Sequence, residues 1–194
     1  MENDSNYFYL NFEIQEEERF YNLKNLFDAI KAVKDIVIRH NYDLDFDPLE
    51  KMDWLSFLDE KAINNQDEVF NFENEEGQTY QKLWNLTPPK VRLSHPFFIL
   101  PNPWDYESIL DSIFNGEYTL ISIKKNSSKS ATLYFAPWAG PFGETEALVA
   151  LIELFGHHVT YDSWHKGPHK SRTSEWNFQI AKELVNKNTG IEVN

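Results

Sequence analysis

The chain has 194 residues, 41% of them hydrophobic and 15% aromatic, with no cysteine and a formal charge of -13. That is enough for one folded domain with a core, or two small ones, and it excludes disulfides and thiolate metal sites. The start, Met-Glu-Asn-Asp, is polar and acidic rather than basic and apolar, and no apolar run nears the roughly 20 residues that cross a bilayer, so a cytoplasmic protein without a membrane partner is expected.

The charge is not spread evenly. Residues 1–80 hold 7 Lys and Arg against 20 Asp and Glu, whereas residues 81–194 hold 11 of each. A surface of that sign repels phosphate backbones, which argues against general nucleic-acid binding. It favours encounter with a basic protein.

From the N-terminus, Phe8, Leu10, Phe12 and Ile14 alternate with Tyr7, Tyr9, Asn11 and Glu13, the period of a strand. A helix follows, with Leu23, Leu26, Phe27, Ile30, Val33 and Val37 on one face and Glu16, Glu17 and Glu18 at its positive end. The alternating Asp43, Asp45 and Asp47 suggest a calcium loop, but Pro48 stands where such a loop needs glycine and Trp54 where it needs a bidentate glutamate. Asp47 as an N-cap, Pro48 as the first helical residue and Glu50 as capping-box partner fit better. Leu49, Met52, Leu55, Leu58 and Ala62 then make the buried stripe of that helix.

Residues 64–80 read as a long acidic loop, with a short strand at Val69–Phe72. Thr87–Lys90, with two prolines, marks a boundary between an acidic β-α-α segment (1–86) packed on the core and a second part (87–194), the whole forming one compact domain. In the second part Val91–Leu100 reads as an edge strand interrupted by Pro96. Next comes a helix capped by Asn102, opened by Pro103 and stopped at Gly116, with Ile109, Leu110 and Ile113 inward. Two strands flank the turn Asn126–Lys129. A helix with Leu148, Ile152 and Phe155 inward stops at Gly156, and His157–Asp162 is a last strand. The order βαββαβ predicts an α+β two-layer sandwich with a ferredoxin-like unit in the C-terminal half. A terminal helix spans Thr173–Gly190, with Trp176, Ile180 and Leu184 on one stripe.

Two loops carry the residue types that chemistry or recognition would use. Pro137–Ala147 joins a strand to a helix through two glycines and two prolines, with Trp138 and Phe142 exposed. Glu144 in the helix's first turn would repel an anion there. The second loop follows the last strand and holds Tyr161, Asp162, Trp164, His165, His169, Lys170 and Arg172, aromatic and basic together, as in a binding patch. His157 and His158 are strand neighbours and point to opposite faces, so both cannot ligate one ion. Gly167 and Pro168 break the i, i+4 pair His165 and His169. The remaining metal set is His158, His165 and His169, without a thiolate to support it. No Gly-x-Ser-x-Gly nucleophile elbow is present.

The residues therefore point first to a non-catalytic binding protein needing no cofactor, whose acidic half meets a basic partner as an immunity-type or antitoxin-type inhibitor does. The alternative is a small hydrolase or ligand-binding domain using the His/Asp/Trp cluster. A third expectation is a homodimer through the C-terminal helix or the edge near Pro96.

Overall fold

The computed structural model describes residues 7–39, 47–66, 72–94, 104–138, 145–169 and 177–190. It is an α+β structure with a five-stranded antiparallel sheet and seven helices among those residues. The chain divides into two units, residues 1–66 with 104–171, and residues 67–103 with 172–194.

The first unit contains the sheet. The strands are β1 (Phe8–Glu13), β2 (Tyr118–Lys125), β3 (Ser130–Pro137), β4 (His158–Asp162) and β5 (Gly167–Pro168). They lie in the order β2-β3-β1-β4-β5. Strand β1 therefore inserts between two strands that are distant from it in sequence, with Leu10 opposite Leu133 on one side and Asp162 on the other. The alternation read from the sequence holds: Leu10, Phe12 and Ile14 are buried, and Tyr7 and Glu13 are exposed.

Helices α1 (Glu17–Arg39), α5 (Tyr106–Asn115) and α6 (Glu146–Leu154) supply most of the rest of this core. In α1 the stripe Leu23, Leu26, Phe27, Ile30 and Val33 is buried, as the 3.6-residue period demands. Helix α5 is capped by Asp105, whose side chain accepts the Ser108 N–H at 2.6 Å; the Asn102 cap expected from sequence lies outside the described residues. Ile109, Leu110 and Ile113 face inward, as expected.

The expected helix from Pro48 does not form as one piece. Two short 3-10 turns, Leu49–Lys51 and Trp54–Phe57, precede a separate helix α2 (Glu60–Gln66). Pro48, expected as the first helical residue, is the cap of the first turn and has no side-chain bond to it. Asp47, the expected cap, only accepts the Leu49 N–H at 2.8 Å, while Asp59 caps α2 by accepting the Ala62 N–H at 2.8 Å. The reason is Trp54. It is 5% exposed, packs on the Phe114 ring at 5.4 Å, and its carbonyl accepts the Tyr106 hydroxyl at 2.8 Å. One continuous helix with Leu49, Met52 and Leu55 inward would turn Trp54 about 100° away from Leu55, and burying the larger aromatic wins. Met52 and Leu55 are consequently outside, 41% and 64% exposed.

A buried arginine ties α1 to what surrounds it. Arg19 Nε meets the Asp59 carboxylate at 2.7 Å and its Nη2 donates to the Leu154 carbonyl at 3.1 Å, at the negative end of α6. Burial pushes the Asp59 carboxyl up, but the Arg19 hydrogen bond and charge, with the Ala62 N–H, hold it below the usual range. Gly156 has φ +72°, and a β-carbon there would stand 2.4 Å from Arg19 Nη1. Gly156→Ala is expected to cost about 1–2 kcal/mol for the left-handed backbone alone, and more as the guanidinium is displaced. A lowered urea midpoint with an unchanged slope would show it.

The second unit is helical. Helix α3 (Glu75–Leu86) starts at Asn74, whose side chain accepts the Gly77 N–H, so the residues from Glu75 to Tyr80 are helix rather than the loop expected. Helix α4 (Pro89–Ser94) replaces the first part of the strand expected at 91–100; Pro89 fits a first helical turn, where its missing N–H costs nothing, and residues 95–100 lie outside the described set. Helix α7 (Phe178–Thr189) is capped by Asn177 and stopped by left-handed Gly190. Tyr80, Leu83, Ala181 and Val185 form this unit's core, so the inward residues of α7 are Ala181 and Val185, with Ile180 and Leu184 half-buried. Trp176 lies outside the described residues.

Because α4 occupies the first part of the strand expected at 91–100, and residues 95–100 lie outside the described residues, the strand order does not confirm a ferredoxin-like unit within residues 87–194. The central strand of the sheet comes from the N-terminus.

Candidate functional site

Of the two loops singled out in the sequence, the one after β4 is described and is built around Asp162. This carboxylate is 2% exposed and takes four donors. Oδ1 accepts the Trp164 N–H at 2.8 Å and, at 3.4 Å, the His165 N–H. Oδ2 accepts the Thr145 hydroxyl and faces His165 Nδ1 at 2.7 Å. Since a buried carboxylate accepts, Nδ1 carries the hydrogen toward Asp162, which leaves Nε2 as the ring atom turned outward from a side chain that is 59% exposed. Thr145 sits at the start of α6, so one buried acid fastens the end of β4, the following turn and the head of a helix. Lys166 takes the left-handed conformation, φ 55°, that reverses the chain into β5.

The neighbours of that acid diverge. Tyr161 lies on the outer face of the sheet, stacked on Tyr9 at 5.9 Å. Trp164 packs edge-on against Phe8 at 4.9 Å and joins the core margin. Ser163 is committed to the backbone: its hydroxyl accepts the Tyr9 N–H at 2.6 Å and its own N–H donates to the Tyr9 carbonyl. His169 Nε2 stands 3.7 Å from a Glu153 carboxylate oxygen, a different partner from that of His165. His158 is exposed at the start of β4. Among the described residues no group of three or more His, Asp and Glu is placed to hold a metal ion.

Trp138 is 50% exposed just past β3, where its N–H donates to the Glu117 carbonyl. Phe142, Glu144, Lys170 and Arg172 lie outside the described residues. The structure thus brings Asp162 and His165 together and sends Tyr161 and Trp164 to opposite sides of the sheet.

His157 is the buried member of the histidine pair, 3% exposed, while His158 is outside, as strand alternation requires. Its ring stacks on Phe12 at 5.8 Å, and burial holds its basicity below 6.5. It is therefore a core residue.

Two features escaped the sequence reading. The first is the segment Asp47–Ile63, where Met52, Leu55 and Ile63 are exposed among the exposed acids Asp47, Glu50, Asp53 and Glu60. The second is a row of tyrosines on the outer sheet face: Tyr9 in β1, Tyr134 in β3 and Tyr161 in β4, with Tyr9 also 6.2 Å from Tyr134. Tyrosine at outward positions of three strands was the available signal; only the strand-by-strand order of the sheet makes them neighbours.

No family model, curated protein or solved structure matches this chain. Among the described residues, no helix is long and apolar enough to cross a membrane.

Proposed function

We propose that this chain is a cytoplasmic, non-catalytic protein-binding module that recognises a basic partner, in the manner of an immunity protein or antitoxin. The observation that carries the reading is the Asp47–Ile63 segment. Leu55 is 64% exposed, and Met52 and Ile63 are more than 40% exposed. Carboxylates alternate with these side chains. Lys51 and Lys61 are exposed here too, Lys61 paired with Glu16, but the exposed acids Asp47, Glu50, Asp53 and Glu60 outnumber them. Exposed apolar groups with an acid-rich rim suit an interface in which the apolar centre supplies affinity and the rim supplies rate and selectivity.

The scaffold is consistent with this role. In chain order β1, α1, β2, β3, α6 and β4 follow one another with α2 to α5 inserted after α1. We infer from the order β2-β3-β1-β4 a ferredoxin-like unit whose first strand is Phe8–Glu13. A hydrolase reading rests on His165 and its buried acid alone. It is the weaker one, because Ser163, the adjacent hydroxyl, is spent on Tyr9 and the Asp162 oxygens are saturated.

The test is calorimetric titration against basic proteins encoded beside the gene, at 50 and 300 mM salt. A complex should form and weaken with salt. Leu55→Lys should weaken it about tenfold or more by adding a like charge and removing the anchor, and Asp53→Lys should chiefly lower the association rate. A complex indifferent to Leu55→Lys and Asp53→Lys, or binding to none of these proteins at either salt, rejects the reading.

A further inference from the structure

We propose that the tyrosine-bearing outer face of the sheet binds a small anionic molecule with a planar ring, of the mononucleotide class. This is independent of the Asp47–Ile63 segment. The face contains a hollow of about 270 Å³ whose lining includes Tyr7, Tyr9, Asn11, Ser122, Lys124 and Tyr134. Typical drug-sized pockets measure about 300–1,000 Å³, so this one suits a single ring system with a short substituent.

The hollow is built into the pairing of the strands. Tyr9 and Tyr134 are directly opposed in register, and Ser122 is opposed to Tyr134 on the other side. Ile121, which also lines the hollow, is the extra residue where the β2–β3 register shifts. A second shift, between Asn11 and Phe12 against β4, falls at another of its residues. Bulges break a ladder and re-aim side chains, and both occur at this hollow.

The polar groups are oriented. Asn126 donates to the Thr132 hydroxyl at 2.7 Å, and Thr132 donates to Asn11 Oδ1 at 2.8 Å. That fixes the Asn11 carboxamide with its oxygen toward Thr132 and its NH₂ turned the other way. Lys124 Nζ stands 5.1 Å from the Tyr134 ring centroid. Among the described residues Lys124 is the single charged one lining the hollow, and it is a cation on a chain of net charge -13.

Those features select the ligand. Tyrosine faces stack on flat rings of any substitution, and an ammonium beside them meets a phosphate or carboxylate. A polynucleotide would carry many phosphates past an acidic protein with one lysine to receive them, whereas a monophosphate needs only one. Glu13, two residues beyond Asn11 on the same face of β1, adds to that repulsion for longer chains.

The full chain is titrated by calorimetry with adenosine 5′-monophosphate, adenosine, ribose 5-phosphate and a ten-nucleotide single strand. Saturable binding of the monophosphate is expected, with adenosine and ribose phosphate each about tenfold weaker. Tyr134→Ser should lose about tenfold, Tyr134→Phe should stay within about threefold, and Lys124→Gln should weaken the monophosphate but not adenosine. Tyr134→Phe and Lys124→Gln leave the core untouched and keep the test decisive if Tyr134→Ser fails to fold. No saturation by the monophosphate, indifference to Lys124→Gln, or tighter binding of the single strand than of the monophosphate overturns the proposal.

Discussion

Replacing Lys34 by methionine is expected to destabilise the protein by about 2–4 kcal/mol at pH 7, more than any surface change. Lys34 is 1% exposed inside α1, and its ammonium donates to the carbonyls of Ile113, Phe114 and Gly116 at 2.6, 2.9 and 2.7 Å. These close the C-terminal end of α5, where the helix leaves carbonyls without partners and a cation is favoured. The aromatic face of Tyr118 lies 4.9 Å from the same nitrogen. Methionine keeps the volume and removes the donor, so buried acceptors lose their partner while the apolar contacts persist. The opposing effect is release of a buried charge, and a methionine variant as stable as the parent would show that this penalty outweighs the three bonds.

The same residue predicts a pH signature. Burial lowers the lysine from 10.5 to about 8. Between those values the unfolded chain holds the proton that the folded chain has released, so the unfolded state binds more protons. Stability contributed by this group therefore rises with pH across that window, and the burial penalty is present in full below it. Burial raises the Tyr106 and Tyr118 phenols, which act in the opposite direction once ordinary tyrosines begin to ionise near 10. Unfolding curves from pH 8 to 9.5 isolate the lysine, and Lys34→Met should remove the rise.

Asp162→Ala is expected to cost about 2–4 kcal/mol, because two backbone N–H groups and the Thr145 hydroxyl lose an acceptor at a site closed to water. Asp162→Asn separates structure from tautomer. Its oxygen can still accept the Trp164 N–H, but an amide NH₂ toward His165 forces Nδ1 to become the acceptor and moves the ring hydrogen to Nε2. Nitrogen-15 correlation spectra of the imidazole should report Nδ1–H in the parent and Nε2–H in the asparagine variant. An unchanged tautomer would mean that Asp162 does not set it.

Both residues belong to elements that the sequence located unevenly. Strand β1, helix α1, the β2–β3 hairpin, α6 and β4 could be read because each buries one continuous face, and a local period records that face. The opposed fates of His157 and His158 followed from alternation alone. The helix expected from Pro48 failed for a reason no period contains. Leu49, Met52 and Leu55 are spaced like a stripe, yet Trp54 reaches Phe114, sixty residues on, and that contact decides which side of the segment is inside. The first residues of the strand expected at Val91–Leu100 are helix instead, because the residues around Pro89 support a helical turn as readily as an extended one.

The position of β1 between β3 and β4 was equally out of reach, since pairings over more than a hundred residues leave no trace in a local window. For that reason the sequence pointed to Tyr161 as part of a basic loop, whereas it belongs with Tyr9 and Tyr134 on another surface. Of the loop residues proposed as a cluster, Asp162 and His165 met because a three-residue turn brings them together locally.

The margins of the sheet carry a last consequence. On one side the outermost strand is Gly167–Pro168, two residues long, and its proline has no N–H to offer. On the other, β2 is interrupted at Ile121 and carries Lys124 and Lys125 near its end. Neither border presents an unbroken row of amides on which an incoming polypeptide could find its register. Among the described residues, both rims therefore work against copies of an aromatic-rich chain zipping together into growing ribbons.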